Sequence, residues 1–425
     1  MKKVLEGIAA AASKAAGVPV TASDVKPSPV ADYATPIAFA LAKKLKKNPA
    51  EVAKEIAAKI KKPDFAEKVS AEGGFVNFTL DYAKIAGGVL SEARKQDYGG
   101  GFAKKEKIIL EHTSVNPSGP VHVGRLRNSI IGDSIRRILS HAGYWVETRY
   151  YVNNIGKQIA IIALGLSDGI KGDSAIMEKY AKYKSKDYFK VFFTYVEANK
   201  KFEVDEGFQK KVQELIHAAE NGDKKSLDTI TRAADLCLAG QRETYNRLGF
   251  KFNAFDYESD EITSGRVFKV LEKLKKSGNW VEKDDVGGGL DLTEHGIDKK
   301  TGFTVLARAD DTTVYTARDL SYHLQKLSRG DRLINVLGED HKLQAQELSI
   351  ILKNFLGVKK PIEVVHYSFV SFEGAKLSTR RGDTAPVDEL LDEAIAKASE
   401  EVGKRKIAGE KAAEMIGVGA VKYTS

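Results

Sequence analysis

At 425 residues the chain is too long for one ordinary domain, and we expect two to four. No run of about 18 apolar residues occurs, which excludes a membrane-spanning helix, and the single cysteine excludes an internal disulfide framework and a cysteine-rich zinc site. The 67 Lys and Arg exceed the 58 Asp and Glu by 9, which suits a polyanionic partner such as RNA or a generally charged soluble surface. The lone cysteine fits a reducing compartment, so we expect a cytoplasmic protein.

The first residues predict an amphipathic helix rather than a secretion signal. Leu5, Ile8 and Ala12 recur at helical spacing. Glu6 and Lys14 interrupt the apolar stretch that a signal peptide would need. The amino terminus is therefore expected to stay in the folded protein.

Residues 1 to about 105 predict a separate small α+β domain. The pairs Thr35-Pro36 and Asn48-Pro49 each place a capping residue before a proline, which is typical of a helix start. Apolar residues alternate over 75–80 and predict a strand with one buried face, followed by a helix at about 81–96.

Several lysines lie along and between these predicted helices, where they could dock an RNA backbone or form an ordinary solvated face. They are Lys43, Lys44, Lys46, Lys47, Lys59, Lys61 and Lys62.

From residue 106 the pattern changes to strands that alternate with helices, which is typical of a doubly wound parallel α/β sheet. We assign 106–405 to this domain, with an insertion at about 160–260 that is helical and highly charged over 176–250. Strands are predicted at 107–111, 144–152, 303–307, 333–337 and 363–370, and late helices at 387–404 and from 408.

The stretch 116–125, reading NPSGPVHVGR, lies between the first of these strands and an amphipathic helix. A strand, a tight turn and a helix amino terminus form a common site for nucleotide phosphates. Gly124 has no side chain, so a base or ribose can approach the backbone there. His122 can donate hydrogen bonds to phosphate oxygens as charge develops in a transition state.

The stretch 376–380, reading KLSTR, is a basic segment bracketed by Gly374 and Gly382. Lys376 and Arg380 carry positive charge, and the hydroxyl group of Ser378 can donate a hydrogen bond. Such a loop can neutralise a leaving pyrophosphate while the reaction proceeds.

In this order the two stretches resemble the His-Ile-Gly-His and Lys-Met-Ser-Lys-Ser motifs of class I aminoacyl-tRNA synthetases. The chain is most similar to the arginyl-tRNA synthetases, in particular the archaeal ones, over essentially its whole length. The segments that carry this resemblance are 32–35 (DYAT), 111–133 (EHTSVNPSGPVHVGRLRNSIIGD), 150–158 (YYVNNIGKQ), 314–319 (VYTARD), 335–341 (NVLGEDH) and 376–382 (KLSTRRG).

The resemblance implies a Rossmann-type catalytic domain and an added amino-terminal domain that contacts the elbow of tRNA. It implies that arginine and ATP, the latter with Mg²⁺, form arginyl-adenylate, and that the arginyl group then passes to the terminal adenosine of tRNA(Arg). Family members usually need bound tRNA for the first step. We expect a monomer that acts on arginine, ATP and tRNA(Arg), with no membrane partner and no zinc.

The same resemblance implies a role for each candidate site residue. A guanidinium group favours a planar, bidentate carboxylate, for which Asp319 is the best candidate, with Tyr315 one helical turn earlier on the same face. The full arginine-binding set is Glu111, Ser114, Asn116, Tyr315, Asp319 and Asp340. The ATP-binding set is His122, Gly124, Arg125, His341, Lys376 and Ser378, and the catalytic set is His122, Lys376, Ser378 and Arg380.

Three features depart from the family pattern. Arg125 stands where the first motif has its second histidine, and there it could repel the guanidinium or grip a phosphate or the α-carboxylate. Arg380 replaces a lysine and keeps the charge, and 310–313 (DDTT) replaces the usual Asp-Gly turn. The family continues into a helical anticodon-binding domain after a block like 420–423, so the resemblance implies that 406–425 is the start of the connection to that missing domain. We therefore expect this chain to bind ATP and arginine but to charge tRNA poorly.

Three alternatives stay open. A nucleotidyltransferase of the same motif class that makes a dinucleotide cofactor would lack the block around Tyr315 and Asp319. Another class I synthetase specificity would lack that pair of residues. A non-catalytic RNA-binding paralogue is favoured by Arg125 and by the missing domain, whereas His122, Lys376 and Asp319 favour an enzyme.

Overall fold

The computed structural model of the chain describes residues 2–297, 299–310, 312–368, 385–406 and 410–424. The chain forms two compact units, residues 1–100 and 101–425. Across the described residues, no helix is both long enough and apolar enough to cross a membrane.

The first unit packs helices on a four-stranded antiparallel sheet of order β1-β2-β4-β3. Its core includes Ile8, Val76 and Phe78, which are fully buried. Its elements are α1 (Lys2–Ala16), β1 (Lys26–Pro27), β2 (Tyr33–Thr35), α2 (Ile37–Leu45), α3 (Pro49–Lys59), β3 (Ala66–Glu72), β4 (Phe75–Leu80) and α4 (Tyr82–Ala93).

The two predicted helix starts of this unit differ in outcome. Asn48 caps α3, because its side chain accepts a hydrogen bond from the backbone nitrogen of Ala50. Thr35 does not cap α2. It pairs with Val76 in the ladder between β2 and β4, so it stays extended and buried, and the helix begins only after Pro36.

The second unit is built on a five-stranded parallel sheet of order β12-β11-β5-β6-β7. The central strand β5 contains Ile108, Ile109 and Leu110, all fully buried, as expected for a sheet covered on both faces. The strands of this sheet are β5 (Lys107–Glu111), β6 (Trp145–Val152), β7 (Ala254–Tyr257), β11 (Arg332–Gly338) and β12 (Ile362–Tyr367).

A separate three-stranded antiparallel sheet contains β8 (Trp280–Lys283), β9 (Gly287–Leu290) and β10 (Thr304–Ala307). The helices of the second unit are α5 (Val123–His141), α6 (Lys157–Ser167), α7 (Ser174–Lys179), α8 (Asp187–Val204), α9 (Glu206–Glu220), α10 (Lys224–Arg247), α11 (Ser259–Thr263), α12 (Arg266–Lys275), α13 (Tyr315–Arg329), α14 (Lys342–Ile350), α15 (Val387–Lys404) and α16 (Glu410–Thr424).

The predicted α/β class with a helical insertion and a small amino-terminal domain is confirmed, with two local corrections. The strand predicted at 303–307 exists as β10, but it belongs to the antiparallel sheet. The edge strand β7 was not predicted, because four residues after a long charged helix show too little alternation. The glycines of β9 likewise give no strand signal.

The strand order places a crevice beside β5. From β5 the chain proceeds to β6 on one side of the sheet, whereas β11, on its other side, leads on to β12. Ligands of doubly wound sheets bind at the carboxyl ends of the strands where the order reverses in this way. A ligand-binding site is therefore expected between the segments that leave β5 and β11.

Candidate active site

A cleft of about 640 Å³ opens at this position. Every strand of the parallel sheet contributes a residue at or just beyond its carboxyl end. The other lining residues come mainly from the loop between β5 and α5 and from helices α5, α6, α8, α13 and α14. The strand-end residues are Glu111, Asn153, Glu258, Gly338 and Tyr367.

Most of the residues predicted for the site lie together in this cleft: Glu111, Ser114, Asn116, His122, Arg125, Tyr315, Asp319, Asp340 and His341. Gly124 is buried in the first turn of α5 and does not line the cleft. Lys376, Ser378 and Arg380 lie outside the described residues. The described chain resumes next to the first motif, where Val123 donates its backbone N–H to the carbonyl oxygen of Ala385 at 2.9 Å.

Two side chains of α10 hold the turn before α5. Gly119 donates its backbone N–H to the sulfur atom of Cys237 at 3.0 Å, and its carbonyl oxygen accepts from Gln241 Nε2 at 2.9 Å. A side chain at Gly119 would meet Phe192, since an added Cβ atom would lie 2.8 Å from it. The insertion helices thus fix the loop that presents His122.

His122 precedes α5 as its N-cap residue, and its Nδ1 atom is buried with no hydrogen-bond partner among the described residues. Burial, helped by the positive charge of Arg125, lowers the pKa of His122 to about 4. The imidazole is therefore neutral at physiological pH and keeps one N–H donor. An unpaired buried nitrogen is costly in a folded protein, so this atom is a candidate contact for a ligand.

At the opposite side, Asp319 lies one turn into α13 and both of its carboxylate oxygens have donors. His323 Nδ1 lies 2.9 Å from Oδ1, and Gln344 Nε2 donates to Oδ2 at 3.0 Å. Burial alone would raise the pKa of Asp319, but its contact with His323, the charge of Lys326 and the hydrogen bond from Gln344 hold it below the ordinary value. Tyr315, one turn earlier, is exposed to solvent.

Glu258 is a second carboxylate of the cleft, and sequence reasoning missed it. It directly follows β7, the strand that was not predicted, and it is 2% exposed. Its Oε1 atom accepts from Arg318 Nε at 2.6 Å. Burial raises the pKa of Glu258 despite Arg318, and the charge of Asp319 adds to this rise. Had β7 been predicted, the position of Glu258 directly after a parallel strand would have indicated that it belongs to the site.

The other predicted arginine contacts line the cleft beside β5. Ser114 accepts a hydrogen bond from the backbone nitrogen of Tyr151 at 3.0 Å, and Asn116 donates to Gln158 Oε1 at 2.9 Å. Glu111 forms an ion pair with the buried Lys326, so its charge is already compensated.

Tyr151 lies in the segment 150–158 that carries the family resemblance, and the sequence predicts no role for it. Its ring stacks on Tyr322 with the ring centroids 4.4 Å apart, and it lines the cleft. Its hydroxyl group is buried without a hydrogen-bond partner among the described residues. Burial raises the pKa of Tyr151 well above its ordinary value, so the hydroxyl remains a donor.

Asp340 and His341 lie just beyond β11, in a short helical turn at Glu339–His341. His341 Nδ1 pairs with Gln344 Oε1 at 3.1 Å. Gln344 therefore touches both His341 and Asp319, which links the segment after β11 to the carboxylate of α13.

Two family models match the chain: the catalytic domain of class I tRNA synthetases (R) over residues 88–425, and the arginyl-tRNA synthetase amino-terminal domain over residues 2–80. The chain belongs to the class I arginyl-tRNA synthetases. The arginine–tRNA ligase of Methanothermobacter thermautotrophicus is 41% identical over 93% of this chain and 69% of that protein. The arginine–tRNA ligase of Methanocaldococcus jannaschii is 42% identical over 92% of this chain and 68% of that protein.

Among solved structures, the arginyl-tRNA synthetase of Thermus thermophilus superposes with a TM-score of 0.62 at 26% identity, over 99% of this chain and 74% of that one. The predicted family is thus confirmed, including its archaeal likeness.

Proposed function

We propose that this chain is an arginine–tRNA ligase and that the cleft beside β5 is its active site. Arginine and ATP react to arginyl-adenylate and pyrophosphate, and the arginyl group then passes to the 3′ end of tRNA(Arg) with release of AMP. One observation carries the proposal: the cleft of a chain from this family joins an ordered carboxylate, Asp319, to the histidine of the first motif, His122.

In this proposal the guanidinium group binds between Asp319 and Glu258. Asp319 is ionised and each of its oxygens has one lone pair occupied by a protein donor, which leaves the others for two parallel N–H groups. Lysine has one point charge and no planar fork, so it satisfies only part of this site. Citrulline is nearly the same shape but neutral, and it would not bring the positive charge that arginine offers to the half-buried Asp319 carboxylate.

The α-carboxylate of arginine then faces the ATP end of the cleft. Ser114, Asn116 and Glu111 are proposed to hold the amino-acid end of the substrate. One carboxylate oxygen attacks the α-phosphorus, an oxygen–phosphorus bond forms, and the bond to pyrophosphate breaks. His122 donates its N–H to the phosphoryl oxygens as their negative charge increases.

We place Arg125 and His341 at the phosphates as well. Because Arg125 is close enough to His122 to lower its pKa, a cation there suits the polyphosphate rather than the guanidinium. Mg²⁺ would arrive with ATP, whose phosphates are its usual ligands. The family resemblance assigns Lys376, Ser378 and Arg380 to the leaving pyrophosphate. The amino-terminal unit, with its lysines, is proposed to contact tRNA(Arg), and we propose a cytoplasmic monomer.

The test is ATP–pyrophosphate exchange with each of the twenty amino acids, with and without a tRNA(Arg) transcript. We expect exchange with arginine alone, and mainly in the presence of the tRNA. Exchange with another amino acid would overturn the proposed specificity. Tight binding of tRNA without exchange for any amino acid would favour the non-catalytic paralogue, for which Arg125 is the supporting observation.

A further inference from the structure

A chain of buried polar side chains lies behind the cleft wall, between two of its carboxylates. Lys326 and His323 lie one turn apart on α13 and are 1% and 5% exposed, and Asn335 of the neighbouring strand β11 is 2% exposed. We call these three residues the buried polar network. It begins at Glu111, the ion-pair partner of Lys326, and ends at Asp319.

We propose that the buried polar network positions the Asp319 carboxylate for the guanidinium group, with His323 as the residue that holds it. This inference rests on the proposed function, since it assigns the residues that orient one of its binding groups. His323 does not line the cleft, so it acts only through Asp319.

The orientation of Asn335 is set from the Lys326 side. An ammonium group can only donate, and Lys326 Nζ lies 3.2 Å from Asn335 Oδ1, so the amide oxygen faces the lysine. The amide nitrogen then faces His323, where Nδ2 lies 2.9 Å from Nε2. A nitrogen that accepts this bond carries no proton.

The contacts of the other ring nitrogen, Nδ1, independently indicate the same tautomer. His323 Nδ1 lies 2.8 Å from the backbone carbonyl oxygen of Asp319 and 2.9 Å from its Oδ1 atom. Both are acceptors, so Nδ1 must carry the ring proton. The lysine thus fixes the amide, the amide fixes the tautomer, and the tautomer directs an N–H group at the carboxylate that is proposed to recognise arginine.

Two substitutions of nearly equal size separate this role from simple packing. In His323→Asn the side-chain amide can place its nitrogen near the position of Nδ1, so the bond to Asp319 is retained. In His323→Gln the amide nitrogen reaches instead toward the position of Nε2, so the bond to Asp319 is lost. If His323 only filled space, the two substitutions would have similar effects, because both would be tolerated or neither would.

The readout is arginine-dependent pyrophosphate exchange in the presence of tRNA(Arg), with separate KM values for arginine and ATP. We expect His323→Gln to raise the KM for arginine about 10-fold or more, the loss of one hydrogen bond to a charged group, with the KM for ATP within about 2-fold. His323→Asn should stay within about 3-fold of the unsubstituted protein for both. Equal effects of the two variants, or parallel changes in both KM values, would overturn the inference.

A spectroscopic measurement on the unsubstituted protein covers the case in which both variants fold poorly. In ¹⁵N-histidine-labelled protein, the ring of His323 should show the neutral tautomer with its proton on Nδ1, assigned by the signal missing from either variant. A proton on Nε2 would refute the assignment. If the unsubstituted protein exchanged with no amino acid, the proposed function would fail, whereas the tautomer would still report on the network.

Discussion

The Asp319 carboxylate and the His122 ring, at opposite sides of the cleft, differ in how fully their polar atoms are paired with the protein. At the α13 end, both ring nitrogens of His323 and both carboxylate oxygens of Asp319 have protein partners. At the α5 end, the ring of His122 has a buried nitrogen without a partner among the described residues, and so does the ring of His112, which follows β5.

This difference indicates which part of the site folding completes. Buried polar groups are nearly always paired in a folded protein, and the Asp319 carboxylate, the proposed contact of the guanidinium group, follows this rule. The buried hydroxyl of Tyr151 beside it does not, since it has no partner among the described residues. At the proposed phosphate end, burial lowers the pKa of His122, and its buried Nδ1 atom has no partner among the described residues, so this atom is a candidate contact for ATP. A preorganised end should control KM for arginine, whereas the open end should control the rate of the chemical step.

The largest expected effect on kinetics comes from removing the charge of Asp319. Asp319→Asn keeps the shape but removes the charge, and its amide presents a donor where an N–H group of arginine should bind. We expect kcat/KM for arginine in pyrophosphate exchange to fall about 1,000-fold or more, because a buried charge-assisted bidentate contact is lost. The KM for ATP should change little.

The matched control is Asp285→Asn, which removes the same charge from an exposed turn between β8 and β9. It should leave both KM values unchanged. A loss of less than about 10-fold in Asp319→Asn would mean that Glu258, and not Asp319, carries most of the guanidinium recognition.

A substitution of His122 should change a different kinetic parameter. His122→Ala removes a neutral donor that is proposed to act on the phosphoryl oxygens only as charge develops. We expect kcat to fall about 100-fold to 1,000-fold, as for one lost oxyanion donor, with the KM for arginine within about 3-fold. His141→Ala, an exposed histidine at the other end of α5, is the control. A rise in the KM for arginine with kcat unchanged would contradict the division of labour between the two ends.

Sequence reasoning could propose candidate residues that are defined by local patterns. The strand, turn and helix around His122 and the helical spacing of Tyr315 and Asp319 are readable because neighbours in sequence define them. Glu258 was not predicted, because its place in the cleft depends on β7, a four-residue edge strand. The buried polar network escaped for the same reason: Lys326 and Asn335 meet only because α13 packs on the sheet.

A smaller effect should come from the contact between α5 and the residue after β5. An added Cβ atom at Gly132 would lie 2.1 Å from the ring of His112, a distance that forces the helix or the ring to move. We expect Gly132→Ala to lower the free energy of unfolding by about 2–3 kcal/mol in urea denaturation. Gly403→Ala, in α15 where nothing lies within 4 Å, should instead stabilise by about 0.5–1 kcal/mol. Equal changes in the two variants would mean that α5 shifts without strain.

The smallest effect is a pH dependence that comes from the ring of His112 itself. This ring is 1% exposed, and burial lowers its pKa to about 4, an effect that Arg136 reinforces and Asp133 opposes. Its pKa in the unfolded chain is about 6.5, so the unfolded state binds the proton first as the pH falls. The neutral ring therefore stabilises the fold fully above about pH 6.5, and this stabilisation is lost as the pH falls toward 4.

Between pH 7 and pH 5 the loss from this one group should be about 2 kcal/mol in the free energy of unfolding. In His112→Asn the side-chain amide does not titrate, and it retains a polar atom near Thr113 Oγ1, the partner of Nδ1 at 2.8 Å. The urea midpoint of this variant should therefore fall less between the two pH values than that of the unsubstituted protein. If both fell equally, the carboxylates would account for the whole slope. The burial of the His112 ring would then contribute nothing to the pH dependence of folding.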